Sequence, residues 1–372
     1  MVPAPADRLA RPRGSFLSDL HDPPPRVDVL VTSDARRGAE VFGRLLVDRL
    51  AAEGWDIELL SLTGSRQPGL KTIPLAVGGE VKGLQPSIVR AFRSRLAERR
   101  PDVILANGGA TLRYAVAVSR LVRPRPGLVY RSIGEPSYWL RSSVHRTLQR
   151  LLLAGCDHVA AVSEATRSQL RGNGVPASKL SVVYRGVEEH WFDVPIEERR
   201  DRPLRILFAG SLSAEKDPLT AVQAVRALEG EAILRIAGDG PLRGEIEARG
   251  AGVELLGSVR DLAPHLRWAD VLLLTSRTEG LPGVVIEAAA AGVPAVASDV
   301  GGTAEAVIHD ESGYVVQPGD LGAFVTALKT LAADEPLRLR MAESARAFAA
   351  QRFSIGRSVE GYGRLLREVA SR

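Results

Sequence analysis

Two glutamates eight positions apart, Glu279 and Glu287, bracket the turn Gly280-Leu281-Pro282-Gly283 in the segment TSRTEGLPGVVIEAAAAG (275–292). The glycines let backbone approach a ligand closely. The pattern predicts a helix over 283–291, and Pro282 suits its first position, where a missing N–H leaves nothing unpaired. N–H groups from Leu281 onward then point out of the helix start. With the helix dipole they make a place for an anion such as a diphosphate. Glu279 lies in the loop and Glu287 about one turn inside the helix. One carboxylate can therefore meet the sugar end of a ligand, and the other a ribose across the phosphates. Spacing alone fits equally a helix whose first-turn glutamate merely favours the dipole.

A second strand-to-helix turn, GSLSAEKD (210–217), carries Gly210, Ser211 and Lys216. The lysine is placed to neutralise phosphate as a point charge; taken singly, it also reads as a surface lysine. Gly238-Asp239-Gly240 and Gly257-Ser258-Val259 follow the next two predicted strands. Several small-residue loops converging on one sheet edge are harder to explain as plain turns than any one alone.

The elements that must hold these loops alternate between short apolar strands and amphipathic helices. In the first half, strands are predicted at 27–32, 57–62, 103–106, 128–131 and 158–162. Helices are predicted at 39–53, 86–99, 111–122, 142–153 and 164–172. The first should turn Val41, Leu45, Leu46 and Leu50 to one face, and Ser163 should cap the last. A charged, proline-containing stretch over 186–203 reads as a linker. The alternation then restarts. Strands are predicted at 205–209, 232–237, 253–256, 271–275 and 295–298. Helices follow at 217–228, 242–248, 261–268, 283–291, 303–308, 320–333 and 336–352. The class is α/β, two Rossmann-like parallel-sheet domains facing a cleft.

A length of 372 residues agrees with two domains. The 45 % hydrophobic and 25 % charged residues exclude disorder, a coiled coil or a collagen-like repeat. With 8 Phe, 4 Trp and 6 Tyr, packing must rest on aliphatic residues. That argues against a base-stacking nucleic-acid surface. The single cysteine, Cys156, excludes an intramolecular disulfide and a cysteine-based zinc site, and fits a reduced, cytoplasmic compartment. No Asp-x-Asp run or carboxylate triplet suggests a divalent metal site. No stretch reaches the ~20 apolar residues of a membrane-spanning helix. Residues 1–25 lack a signal-peptide core and read as a Pro-rich disordered lead. The net charge of +5 divides unequally, +9 over 1–195 and −4 over 196–372, and 13 arginines fall within 90–150.

In sequence and order, AGSLSAEKDPLTAVQAV, IAGDGPLR, LLGSV, ADVLLLTSRTEGLPGVVIEAAAAGVPAVASDVGGTAEAV and GYVVQPGD resemble the family-4 retaining glycosyltransferases of GT-B fold. VAAVSEATRSQL and VVYRGVEEHWF lead into them as in that family, and the resemblance spans 27–365. It implies a lead over 1–25, an acceptor-side domain over 26–190 and a donor domain over 191–372, whose last helix packs back on the first. It also implies that Glu279 faces the donor sugar and Glu287 the donor ribose. Lys216 and the backbone of Gly280, Leu281, Pro282 and Gly283 would hold the diphosphate. Gly238, Asp239, Gly240 and the backbone at Val259 would line the nucleotide pocket, and Gly38 would close over the phosphates from the other domain.

Two departures stand out. Ser211 follows Gly210 where family members often carry arginine, leaving Lys216, with Arg277, to meet more of the phosphate charge. Arg37-Gly38-Ala39-Glu40 stands where a Gly-Gly pair is common. Glu135, in SIGEPSYW, is the candidate for the acceptor-side position often held by His or Asp.

The implied reaction is metal-independent transfer with retention, with a nucleoside-diphosphate sugar as donor substrate and no cofactor. The acceptor is a saccharide, a lipid-linked or phosphorylated molecule, or another small molecule. A sugar-nucleotide epimerase and a non-catalytic sugar-nucleotide-binding protein are the rivals. The absence of Gly-x-Gly-x-x-Gly after the first strand disfavours an NAD-dependent oxidoreductase. The Arg-rich 90–150 stretch fits solvent, an anionic membrane or a lipid-linked acceptor; nucleic acid is disfavoured because no binding module accompanies the charge. Tyr138 and Trp139 fit an acceptor pocket or core packing equally.

Overall fold

The computed structural model describes residues 23–35, 38–65, 72–79, 81–134, 143–196, 203–249 and 252–372. Arg37, Glu135, Tyr138, Trp139 and most of the expected lead (1–22) lie outside them. The first half builds a seven-stranded parallel sheet in the order β3-β2-β1-β4-β5-β6-β7. Its strands are β1 (Val27–Val31), β2 (Ile57–Gly64), β3 (Thr72–Val77), β4 (Val103–Asn107), β5 (Gly127–Ser132), β6 (His158–Ala161) and β7 (Leu180–Val182). Its helices are α1 (Gly38–Ala52), α2 (Pro86–Arg99), α3 (Gly109–Ser119), α4 (Ser143–Ala154) and α5 (Glu164–Gly172). The central strands β1 and β4 are buried along their whole length, as expected where helices cover both faces of a parallel sheet.

The second sheet has six strands in the order β10-β9-β8-β11-β12-β13, again all parallel. They are β8 (Leu204–Ala209), β9 (Ala232–Ala237), β10 (Val253–Gly257), β11 (Val271–Leu274), β12 (Ala295–Ser298) and β13 (Gly313–Val316). The remaining helices are α6 (Pro218–Arg226), α7 (Arg243–Arg249), α8 (Ala263–Trp268), α9 (Gly283–Ala290), α10 (Leu321–Ala333), α11 (Glu335–Arg352) and α12 (Ile355–Ala370). In each sheet the strand order reverses once, between β1 and β4 and between β8 and β11. Such switch points open a crevice at the carboxyl ends of the strands, where ligands of open α/β sheets bind. Both halves are therefore α/β and Rossmann-like.

Several local expectations change. On α1 the core face carries Phe42, Leu46 and Leu50, while Val41 is exposed. The expected helix at 303–308 is a single 3-10 turn, Thr303–Glu305. Pro282 is the residue before α9 rather than within it. The strands β3, β7 and β13 and the helix α12 join the predicted set. α12 leaves the second half and packs against α1, sending Val359, Tyr362, Leu366 and Val369 into the core beside Val27, Phe42 and Leu50.

Where the strands of the first sheet begin, a charge cluster closes the edge. Arg99 meets Asp28 at 2.7 Å, Asp56 at 2.8 Å and Glu58 at 3.2 Å. Arg95 pairs with Glu58, and Arg26 with Asp56. Asp28 is fully buried, and burial outweighs the Arg99 hydrogen bond, pushing its carboxyl up to about 6.

The two halves are tied at their facing edges. Ser163 accepts from Thr166 N as cap of α5 and donates at 2.9 Å to the carbonyl of Gly280. Glu305, from the other half, accepts from the α5 backbone at Glu164 (2.8 Å) and Ala165 (2.9 Å). Gly280 must be glycine: a Cβ there would stand 2.3 Å from the carbonyl oxygen of Ile133.

Candidate active site

The loops after β8 and β11, on either side of the second switch point, are sewn together by backbone contacts. Arg277 N donates to Glu215 O at 2.8 Å, and the Thr275 hydroxyl donates to Asp217 O at 2.8 Å. This brings Lys216 Nζ to 2.7 Å from Glu279 Oε1, the oxygen that also accepts from Ser276 Oγ at 2.7 Å. The Glu279 side chain is only 10 % exposed, so its carboxylate is fixed rather than wandering in solvent. Arg277 turns outward and pairs with Asp217 at 3.0 Å. Its exposed guanidinium sits on the rim rather than beside Lys216.

The neighbouring loops stack without side chains between them. Gly210 N donates to Ala237 O and Gly238 N to Gly257 O, at 3.0 and 2.8 Å. A Cβ on Gly238 would lie 1.8 Å from the carbonyl oxygen of Gly210, so only glycine lets these loops meet. Asp239 accepts from Gly240 N at 2.8 Å, which holds its carboxylate against its own turn. Ser211 is exposed, and Val259 is half-buried against the core.

At the start of α9, Glu287 Oε1 accepts from Arg185 Nη2 at 2.8 Å. Burial pushes the Glu287 carboxyl upward, and Arg185 opposes that shift. The Arg185 guanidinium fills the space a side chain at Gly283 would need: a Cβ there would be 1.8 Å from Nη1. Arg185 itself follows β7 of the first half, and its Nη1 also lies 3.6 Å from the Cβ position of Gly38 in that half. Behind it lies Arg131, buried at the end of β5. Arg131 donates to Asn107 Oδ1 and the Tyr362 hydroxyl, both at 2.9 Å, and lies over the Phe42 ring at 4.3 Å. Asn107 in turn donates to Ala39 O at 2.8 Å, anchoring the turn that begins at Gly38. Burial lowers the Arg131 pKa, and the nearby Arg185 charge lowers it further.

Three residues are thus added to those named from sequence: Arg185, Arg131 and Asn107. Their signal was weak but readable. Arg131 ends one predicted strand and Asn107 directly follows another, both at the cleft edge, and Arg185 directly precedes the predicted linker. The structure joins Lys216 to Glu279, and Gly38 to Gly283 through Arg185.

Residues 203–334 match the family described as "Glycosyl transferases group 1", and residues 36–191 match "Glycosyltransferase Family 4". Together the two matches cover both halves of the molecule. The chain is a family-4 glycosyltransferase of GT-B fold. The amylovoran biosynthesis glycosyltransferase AmsK of Erwinia amylovora is 29 % identical to it over 201 residues, 50 % of this chain and 49 % of that one. The chain thus spans about half the length of that relative. Among solved structures, sucrose-phosphate synthase from Thermosynechococcus elongatus superposes with a TM-score of 0.81 at 20 % identity, covering 93 % of this chain and 99 % of its own. HepE of Anabaena, in complex with UDP-glucose, superposes with a TM-score of 0.78 at 20 % identity, over 92 % of this chain and all of its own. These likenesses establish the fold. In this glycosyltransferase the loops of one switch point reach those of the other through Arg185.

Proposed function

We propose that the protein transfers a sugar, with retention, from a nucleoside-diphosphate donor to an acceptor held by the first half. The observation that carries this reading is the Lys216–Glu279 pair beside the start of α9. It sets a cation at the phosphate end and a fixed carboxylate at the sugar end of one pocket. In the reaction, the bond between the sugar C1 and the diphosphate oxygen breaks. A new bond from C1 to the acceptor oxygen forms on the same face, and the acceptor proton passes to the departing phosphate. Lys216 and the first N–H groups of α9 offset the charge that builds on the leaving diphosphate. Fixed donors of this kind are worth about 10²–10³ in rate each. Glu279 orients the sugar, and Glu287 accepts from the ribose hydroxyls. Gly238, Asp239, Gly240 and Val259 line the base, Gly38 covers the phosphates, and Glu135 serves the acceptor side. The chain's own cations meet the diphosphate charge, so the proposed reaction needs no divalent metal. HepE, a neighbour in fold, is known with UDP-glucose, which supports a nucleotide sugar as donor.

We place the acceptor side at an anionic lipid surface. On α4, Val144, Leu148 and Leu151 recur at helical spacing and are 74, 47 and 63 % exposed. The helix carries Arg146 and Arg150 and no acidic residue. An apolar stripe with basic neighbours suits shallow insertion among anionic headgroups. Among the described residues no helix is long and apolar enough to cross a membrane.

Thermal shift with UDP-, GDP- and ADP-sugars tests the donor site. A donor that stabilises the wild type but neither Lys216→Ala nor Glu287→Ala supports it; equal stabilisation of all three proteins refutes it. Sedimentation with vesicles containing phosphatidylglycerol tests the surface. Binding should fall with added salt and with Leu148→Asp, whereas binding indifferent to salt and lipid charge would refute it.

A further inference from the structure

Arg185 and Arg131 place two guanidinium groups in the cleft, one 12 % exposed in its side chain and the other 4 % exposed overall. Among the described residues, Arg131 is held by the neutral Asn107 and Tyr362, and Glu287 is the one carboxylate ion-paired to Arg185. Of these two buried cations, Arg185 has a carboxylate partner and Arg131 has neutral ones. The Arg185 Nε is also buried without a hydrogen-bond partner. A buried cation whose counter-charge is incomplete is costly, and an unfilled donor adds to that cost. The surplus positive charge lies against Gly283, where the N–H groups of α9 emerge with the positive end of the helix dipole. Everything in that space favours a further anion.

We infer that Arg185 is a diphosphate-binding residue that Glu287 holds in reserve until the donor arrives. The inference rests on the donor-site reading above and adds a residue to it. In the free protein the guanidinium is spent on the Glu287 carboxylate. When ribose hydroxyls engage that carboxylate, Arg185 turns its freed N–H groups onto the diphosphate oxygens next to Gly283. The guanidinium fork matches two phosphate oxygens at once, as a lysine could not. Because Arg185 follows β7 and lies beside the Gly38 turn, the same residue ties a bound diphosphate to the first half of the molecule. Ser211 leaves the loop after β8 with Lys216 as its cation, so Arg185 supplies from the opposite wall a charge that loop lacks.

The test separates phosphate from nucleoside. UDP, GDP and ADP are titrated against the wild type by calorimetry, and the tightest is compared with its own nucleoside by ligand-observed NMR. Arg185→Ala should weaken the diphosphate 10- to 100-fold and change the nucleoside less than threefold. Arg185→Lys should recover part of the loss. Glu287→Ala should show the reverse preference, weakening the nucleoside as well as the diphosphate. If the wild type binds a diphosphate and Arg185→Ala binds it equally well, the role of Arg185 is refuted while the donor site stands. If Arg185→Ala loses diphosphate and nucleoside in the same proportion, Arg185 is a strut of the pocket and the inference is also refuted. A wild type that binds none of the three diphosphates overturns the donor site, and the inference with it.

Discussion

The molecule uses carboxylates and cations at two strand edges in contrasting ways. Where β1, β2 and β4 begin, Arg99 alone holds Asp28, Asp56 and Glu58, and Arg95 and Arg26 share two of the same partners. That network is cross-linked: Asp56 and Glu58 each bridge two arginines, and Arg99 ties both of them to the buried Asp28. Where β8 and β11 end and at α9 beside them, Lys216–Glu279, Arg277–Asp217 and Arg185–Glu287 share no partner with one another, although Glu215 also lies 3.9 Å from Lys216. Each can exchange its partner for a ligand at the cost of one contact. Connectivity, rather than the residue types, separates a structural cluster from a site.

This difference can be attacked from both sides. The largest effect is expected from Arg99→Ala, which leaves Asp28 buried without the cation that satisfies it. Removing one partner of a buried pair costs about 3–5 kcal/mol. Chemical denaturation should show that loss, while activity per folded molecule stays unchanged. A stability within 1 kcal/mol of wild type would deny the network its structural role. Lys216→Ala should do the opposite, lowering kcat/KM by about 10²–10³ with a smaller loss of stability than Arg99→Ala. Equal turnover with any nucleotide-sugar donor would remove Lys216 from the chemistry.

The smallest effect concerns pH. With its carboxyl held up at about 6 against an ordinary 3.8, Asp28 binds a proton more readily folded than unfolded. Its contribution is therefore greatest below about pH 4 and is lost as pH rises through 6, a change on the order of 3 kcal/mol. Asp28→Asn should flatten the dependence of Tm on pH across that window. An unchanged slope would mean that Asp28 titrates elsewhere.

The strands and helices with strong apolar periods were legible in the sequence, as were the two glutamates and the lysine that motif context singles out. What escaped had physical causes. β3 carries Pro74 inside TIPLAV, which reads as a break until the strand is seen at the sheet edge, where a missing N–H is tolerated. β7 is three residues long, too short for a period to register. On α1 two apolar sets compete, and packing against Tyr362 of α12, 320 residues distant, favours Phe42 over Val41. Arg185 and Arg131 belong to no recurring spacing. They become site residues only when the two sheets are brought edge to edge.

The crossing of α12 back to the first sheet bears on how the chain is made. Tyr362, Leu366 and Val369, with Ile355, Val359 and Leu365 of the same helix, fill a core whose remaining buried members lie between Val27 and Val183. A ribosome delivers α12 after the entire second sheet. The amino-terminal half therefore cannot finish folding in the order it is synthesised. It must wait, with the apolar inner face of α1 and the neighbouring β-strands uncovered, until α12 has left the ribosome.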